Sequence, residues 1–193
     1  MLYAATYPDS VACAIFEGPS FDLEKSFKNM LKKAATLYES IGNTELGNDC
    51  LRVVAQQQDT DLLLDEFFRL SQGLGELRMK IYTPGDGNNY SEQRYTESEL
   101  EEFGRRSYIH LSKLRAEGRI YESMIPRFKN LSMPALLVKG EHDPVICEEQ
   151  TLAFIRYVPN RDLIVYKNTG HLPHYEQADQ FAEDVIKFVQ EWS

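Results

Sequence analysis

The chain has 193 residues, of which 42% are hydrophobic and 26% charged, and it carries a formal net charge of −9. These values suit one globular core, or a modest core with an inserted subdomain, and they exclude a wholly disordered chain. The acidic balance argues against nucleic acid and anionic membranes as partners, because phosphate binding needs clustered lysine and arginine. No recognisable leader and no run of about 18 apolar residues is present, so we expect a cytoplasmic protein.

The three cysteines are Cys13, Cys50 and Cys147, an odd number at wide and irregular spacing. They form no CxxC pair and stand near no histidine in a pattern typical of zinc sites. We therefore expect free thiols that are buried or partly buried. Nothing else in the sequence indicates a metal or another cofactor.

The first twenty residues predict a helix end followed by a strand. Residues 1–10 have the pattern of the last turns of a helix, with Pro8 and Asp9 as the stop. Residues 11–16 form a continuous apolar run before Glu17-Gly18-Pro19. Such a run predicts a strand that is buried on both faces, as in a parallel sheet.

Residues 21–130 predict an all-helical insert, because apolar residues recur there at helical spacing and strand signals are scarce. One helix is expected to end at Gly42, and a second to cover about 49–72 with an interruption near 59–61. The residues expected to face inward are Phe27, Met30, Leu31, Ala34, Leu37, Tyr38 and Ile41 in the first helix, and Leu62, Leu63, Phe67 and Leu70 in the second. Residues 82–95 have the composition of a loop.

A third helix of the insert begins with a capping box at Thr96-Glu97-Ser98-Glu99 and is expected to end near Gly118. Its inward side is predicted to hold Leu100, Phe103, Ser107, Leu111 and Leu114. The insert therefore separates a first unit, residues 1–20, from a last unit, residues 131–193.

The last unit returns to alternating strands and helices. Strands are predicted at 133–139 and 163–166, with a helix at about 147–157 between them. A closing helix follows, with a buried face made of Phe181, Val185, Phe188, Val189 and Trp192. This order predicts a parallel sheet with right-handed crossovers.

Two polar residues follow these strands, at the sheet edge where functional groups of parallel sheets gather. Asp143 lies in the turn Gly140-Glu141-His142-Asp143-Pro144, and His171 lies in Asn168-Thr169-Gly170-His171, 28 residues later. If the strands are neighbours, the aspartate can accept the imidazole Nδ1–H and fix the tautomer. Histidine titrates near neutral pH and can then act as general base and general acid. The pair predicts the catalytic acid and base of a hydrolase.

Each residue also has a plainer interpretation. An aspartate before Pro144 is a common turn former, and a Gly-His turn is often surface decoration. His110, His142 and His174 are interpreted as structural or solvated residues. Glu141 could replace Asp143 as the acid, but its position does not favour it.

A nucleophile turn has the pattern GxSxG, because glycines must flank a residue in a strained and exposed conformation. No window of the 193 residues matches this pattern or a version with Cys or Asp in place of Ser. Asp143 and His171 therefore lack a third partner in this sequence.

Pro134–Val145 and Asn168–Glu176 closely resemble the acid and histidine motifs of the α/β-hydrolase superfamily. Met1–Asp9 is similar to the helix that follows the nucleophile in that fold, and Val11–Pro19 is similar to its sixth strand. The helical insert resembles the cap of the proline iminopeptidase-like branch, which lies between the sixth and seventh strands. The resemblance covers essentially the whole chain.

The resemblance implies an α/β fold, namely the C-terminal half of an α/β-hydrolase with three parallel strands and an inserted all-helical cap. It implies that Asp143 is the acid and His171 the histidine of a serine hydrolase of N-terminal proline amides or related small amides and esters. In such hydrolases the serine and the oxyanion-hole amides precede the helix matched by Met1–Asp9. We therefore expect this chain to be inactive alone.

Two other interpretations stay open: a non-catalytic interaction protein, and one chain of a split hydrolase whose nucleophile arrives on another chain. Strand 11–16 would have an unpaired edge, so we expect self-association or pairing with a chain that carries the missing strands. The completed enzyme would take a small peptide, amide or ester. An aminopeptidase also needs carboxylates for the substrate ammonium, and Glu99, Glu101 and Glu102 are candidates by location, although acids commonly occupy a first helical turn.

Overall fold

The structure, a computed structural model, describes residues 1–85 and 95–192. Its three described strands form one parallel sheet in the order β1 (Ala14–Glu17), β2 (Ala135–Gly140), β3 (Arg161–Tyr166). The helices in the described ranges are α1 (Leu2–Thr6), α2 (Leu23–Ser40), α3 (Thr44–Ala55), α4 (Thr60–Gln72), α5 (Glu97–Glu117), α6 (Glu148–Tyr157), α7 (Pro173–Glu176) and α8 (Ala178–Glu191). The expected α/β class and the three parallel strands are confirmed.

Strand β2 is the centre of this sheet, and β1 lies at its edge. Five of the six residues of β2 are buried, namely Ala135 to Val138 and Gly140. No residue of β1 is fully buried, so the prediction of a strand buried on both faces is wrong. The reason is that β1 pairs with β2 on one side, and no described strand pairs with its other side. The strand also begins at Ala14 rather than at residue 11.

One face of the sheet packs on an aromatic cluster, and α8 covers the other face. Phe21, Phe128 and Phe154 pack with Leu137, and the rings of Phe21 and Phe128 lie 4.7 Å apart. Phe21 and Phe128, at the two ends of the predicted insert, thus belong to the core of the sheet. The division of the chain into residues 1–20, 21–130 and 131–193 stays a prediction.

The burial predicted for α8 is only partly correct. Phe188 is buried against β2 and Phe181 is half-buried in the same cluster. Val189 and Trp192, expected on the buried face, are 38% and 48% exposed. Trp192 follows Glu191, the last residue of the helix.

Helices α2, α3 and α4 pack around a core of their own. Most residues predicted to face inward are buried there: Phe27, Met30, Leu31, Ala34, Tyr38, Leu63, Phe67 and Leu70. Leu37 is partly buried. Ile41 and Leu62 are more than half exposed, so these two predictions are wrong. Ile41 lies beyond the end of α2, and Leu62 lies off the stripe that Leu63, Phe67 and Leu70 form, because residues one position apart point to different sides of a helix.

Helix α5 begins and ends where the sequence predicts, but its predicted inward side is not buried. Thr96 and Glu99 form the capping box, and Gly118 ends the helix with φ +72. No residue of α5 is buried; Phe103 is 44% exposed and Ser107 is exposed. The predicted loop at 82–95 lies in part outside the described residues, since 86–94 are not described.

The C-terminal end of α5 is attached to α4 by ion pairs. Arg115 donates to Asp65 and contacts Asp61, and the hydroxyl of Tyr121 donates to Asp61 as well. Leu111 packs partly on the core of α2 to α4. These contacts hold the C-terminal end of α5 against α4 and the core of α2 to α4.

Two further points concern the whole described chain. Cys13, Cys50 and Cys147 are free thiols, as expected, and burial raises the pKa of Cys50 to about 11. Within residues 1–85 and 95–192, no helix has the length and hydrophobicity needed to cross a membrane.

Candidate active site

The structure brings Asp143 and His171 together at the carboxyl edge of the sheet. Asp143 follows β2 and His171 follows β3, the strand paired with β2. Oδ2 of Asp143 lies 3.3 Å from Nδ1 of His171. In this arrangement a neutral imidazole donates Nδ1–H to the carboxylate, and its Nε2 is left as the proton acceptor.

The carboxylate of Asp143 is desolvated, whereas the imidazole of His171 is reachable. The side chain of Asp143 is 0% exposed and that of His171 is 27% exposed. The second oxygen of Asp143, Oδ1, accepts a hydrogen bond of 2.8 Å from the backbone N–H of Val145. Both carboxylate oxygens are therefore satisfied, as a buried acid requires.

The turn that carries Asp143 is attached to α2 and α6. Asn29 donates to the carbonyl of Pro144 at 2.8 Å, and the hydroxyl of Ser26 donates to the carbonyl of Val145 at 2.6 Å. The buried amide of Gln150, on α6, also donates to the carbonyl of Val145. A backbone held at these points places the carboxylate in one position.

Gly18 lies against the pair, directly after β1. Its φ is +47, in the left-handed region that favours glycine. A Cβ at this position would lie 2.9 Å from both Oδ2 of Asp143 and Nδ1 of His171. A side chain would therefore collide with the hydrogen-bonded atoms. No sequence motif marked Gly18 as a site residue, although a glycine at the end of a predicted strand is a usable signal.

Gly140 lets the two turns meet backbone to backbone. A Cβ on Gly140 would lie 2.0 Å from the carbonyl oxygen of Gly170, which no packing tolerates. Beside this contact, the N–H of His142 donates to the carbonyl of Thr169 at 2.9 Å. The acid and histidine turns therefore form one unit.

The turn of His171 is held by two residues that the sequence analysis missed. The backbone N–H of His171 donates to the carbonyl of Tyr82 at 2.7 Å. The carboxylate of Glu176 accepts from the N–H groups of Gly170 and Leu172 at 2.9 and 3.1 Å. The rings of Tyr82 and His171 lie 5.9 Å apart, and burial raises the pKa of Tyr82. A segment of the predicted insert thus reaches the candidate site.

The other sequence candidates lie outside the pair. Glu141 is bound to Lys167 at 2.7 Å, and this hydrogen bond lowers the pKa of Glu141. It accepts from the N–H of Asn168 as well, so it is turned away from His171. His110 and His142 are exposed, as the sequence analysis expected.

Two of the three carboxylates proposed to bind a substrate ammonium ion are engaged within α5 or at its N-terminus. Glu99 is occupied in the capping box with Thr96. Glu102 binds Arg105 and Arg106 at 2.7 Å, and these hydrogen bonds lower its pKa to about 2. Glu101 is exposed. Their arrangement favours the interpretation as an ordinary first helical turn. Across the described part of the chain, no group of three or more His, Cys, Asp or Glu side chains is arranged to hold a metal ion.

Comparison with known proteins relates this chain to hydrolases. Residues 1–178 match the model of the family described as alpha/beta hydrolase fold. A 2-hydroxy-6-oxononadienedioate/2-hydroxy-6-oxononatrienedioate hydrolase of Pseudomonas putida is 29% identical over 80 residues, which are 42% of this chain and 28% of that protein.

Two solved structures share the fold. The crystal structure of VinJ has a TM-score of 0.61 at 14% identity, over 100% of this chain and 62% of that one. The crystal structure of a proline iminopeptidase from Mycobacterium smegmatis has a TM-score of 0.51 at 14% identity, over 97% of this chain and 60% of that one. The chain therefore spans less than two thirds of either structure.

Proposed function

The chain belongs to the alpha/beta hydrolase family, and on this premise we propose that Asp143 and His171 are the acid and the base of an acyl-transfer hydrolase. The observation that carries the proposal is the hydrogen bond between the buried carboxylate of Asp143 and Nδ1 of His171. This bond leaves Nε2 of His171 as the atom that receives a proton.

The chemistry follows from that geometry. Nε2 of His171 removes the proton of a serine hydroxyl as its oxygen attacks the substrate carbonyl, and Asp143 stabilises the imidazolium that forms. The imidazolium then gives this proton to the leaving amine or alcohol as the carbonyl–heteroatom bond breaks. Water, activated by the same imidazole, hydrolyses the acyl-serine. No GxSxG window occurs in the 193 residues, so the proposal includes a segment outside this sequence that supplies the serine and the oxyanion hole.

We propose N-terminal proline amides, or related small amides and esters, as the substrate class. The likeness of fold to a proline iminopeptidase supports this choice, together with a helical insert whose Tyr82 contacts the turn of His171. The test is to assay proline arylamides against short-chain esters, with the chain assembled with a nucleophile-bearing segment. Preferred cleavage of the arylamide supports the proline class, and preferred cleavage of the ester rejects it.

A second substrate class is favoured by Arg78. The Nε atom of Arg78 is buried and has no hydrogen-bond partner among the described residues. Its positive charge lowers the pKa of Tyr82, although burial has the larger and opposite effect. A buried Nε–H without a partner, on a guanidinium whose charge acts on Tyr82, suits a carboxylate of the substrate. The Pseudomonas putida relative is named for a dioate, which carries two carboxylates.

The two classes differ in how they respond to Arg78→Gln in the assembled enzyme. With a carboxylate-bearing substrate, the variant should raise KM, because one charge-assisted contact is lost. With a proline arylamide, which has no carboxylate, KM should stay unchanged. If the assembled protein hydrolyses neither, the alternative is a non-catalytic interaction protein. One chain of a split hydrolase, whose nucleophile arrives on another chain, is the alternative in which only a separate chain restores turnover.

A further inference from the structure

A second carboxylate–imidazole pair lies beside the candidate site. Oε1 of Glu17 is 2.6 Å from Nδ1 of His174 and also accepts the backbone N–H of His174 at 3.0 Å. Both side chains are partly buried, with 24% of Glu17 and 38% of His174 exposed. The ring of His174 packs on Tyr175, with centroids 4.1 Å apart, and contacts Phe181. These ring contacts keep Nδ1 directed at the carboxylate.

This pair joins the end of β1 to a helix that follows β3, and these two strands are not neighbours in the sheet. Glu17 is the last residue of β1, and His174 lies in α7, which follows β3. Because β2 lies between β1 and β3, the bond crosses the carboxyl end of β2, where Asp143 begins its turn. The two residues are 157 positions apart in the sequence. The contact therefore links β1 to the segment after β3, on the side of the sheet where the candidate site lies.

Both partners of the bond are connected to His171. Glu17 is followed by Gly18, whose backbone lies against Nδ1 of His171 and Oδ2 of Asp143. His174 lies in the short helix that begins after the turn of His171. The backbone of Gly18 therefore lies against the imidazole of His171, and α7 continues the chain from the turn that carries this residue. Movement of α7 away from β1 would carry His171 away from Asp143.

We propose that Glu17 is a positioning residue: through His174 it holds the turn of His171 against Gly18 and keeps Nδ1 within hydrogen-bonding distance of Asp143. The carboxylate of Glu17 accepts two hydrogen bonds, one of them from an imidazole, and charged acceptors form the stronger bonds. The hydrogen bonds of this turn to Glu176, to the carbonyl of Tyr82 and to the N–H of His142 do not connect it to β1. The proposal names a role for Glu17 in the proposed function, but its test needs no turnover.

The test follows the four histidines by NMR in the whole chain labelled with nitrogen-15 at the imidazoles. In the wild type, the Nδ1 protons of His171 and His174 should both be protected from exchange with water. In Glu17→Met and in His174→Leu we expect the Nδ1 proton of His171 to exchange about tenfold faster, which corresponds to a bond weaker by about 1.4 kcal/mol. His174→Asn should restore slow exchange, because the amide nitrogen of asparagine can take the place of Nδ1.

Glu24→Gln is the matched control. Glu24 forms a surface ion pair with Lys28 inside α2, so the variant removes one carboxylate charge away from the site. Its His171 signals should equal those of the wild type. If Glu17→Met does not fold, the exchange rates of the His171 Nδ1 proton in His174→Leu and His174→Asn are enough to test the proposal.

The proposal is overturned if the His171 signals in Glu17→Met and His174→Leu equal those of the wild type while only the His174 signals or the melting temperature change. That outcome would mean that the pair stabilises α7 and does not position His171. The result is independent of catalysis. An assembled enzyme without turnover would reject the proposed function and leave the NMR result standing.

Discussion

Gly18 and Asp143 touch at the point where two strands end: a Cβ on Gly18 would lie 2.9 Å from Oδ2 of the buried carboxylate. We expect Gly18→Ala to displace this carboxylate from His171. It should cost about 1 kcal/mol for the left-handed backbone, and about 1–3 kcal/mol more for the steric overlap. Denaturant unfolding measures the sum.

The matched control for this substitution is Gly42→Ala. Gly42 also has a positive φ, +76, but a Cβ there would meet nothing within 4 Å. It should therefore lose only the backbone part, about 1 kcal/mol. Equal losses in the two variants would show that Gly18 does not constrain the site.

Asp143→Asn tests the acid directly. The carboxylate accepts from both Val145 and His171, whereas an amide has only one acceptor oxygen. One buried contact is then lost, so we expect about 1–3 kcal/mol less stability. In the assembled enzyme kcat should fall by about 10⁴-fold, the loss known for the same change in a serine protease triad. Unchanged kcat in a folded variant would remove Asp143 from the mechanism.

The exposed half of α5 should respond to acid through Glu102. Hydrogen bonds from Arg105 and Arg106 lower the pKa of Glu102 from 4.5 to about 2. A folded-state pKa below the unfolded value means that the stabilisation is present above pH 4.5 and is lost as the pH falls to about 2. Helix content measured by circular dichroism at low salt should therefore fall less steeply in this window for Glu102→Gln than for the wild type.

The effect of Glu102 is expected to be small and sensitive to salt, because the group is on the surface. Adding salt should bring the two pH profiles together. Identical profiles at low salt would show that the ion pairs with Arg105 and Arg106 do not stabilise α5.

The edge of β1 and the exposed tyrosines of the N-terminal segment predict association. Tyr3 and Tyr7 are 62% and 56% exposed, and no described strand pairs with the outer edge of β1. Exposed apolar area and unpaired strand edges favour pairing with another chain. We expect light scattering to show oligomers at micromolar concentration and Tyr3→Lys with Tyr7→Lys to weaken them. A monomer that binds no dye for apolar surfaces would contradict this prediction.

The sequence predicts well those features that depend on neighbouring residues, such as helix ends. The capping box at Thr96 and Glu99 and the stop at Gly118 depend on neighbouring residues, and the structure has both. The approach of Asp143 to His171 was also predictable, because each follows a strand and parallel strands end at one edge.

What the sequence does not predict depends on contacts between distant segments. An amphipathic pattern shows that α5 has an apolar side, but not that a neighbour covers it, and Phe103 is exposed. The contact between Glu17 and His174 joins residues 157 positions apart, which no local pattern marks. Tyr82 reaches the turn of His171 from the helical insert for the same reason.

The central claim is that His171, oriented by Asp143, is the base that activates a serine supplied by another segment. The most direct measurement compares hydrolysis of proline arylamides and short esters by wild type and His171→Gln, each assembled with a segment that carries a GxSxG turn. We expect no turnover by the chain alone, measurable turnover by the assembly, and a loss of at least about 10³-fold with His171→Gln. Equal rates for wild type and His171→Gln would contradict the account, as would turnover by the chain alone that maps to a residue labelled by a fluorophosphonate.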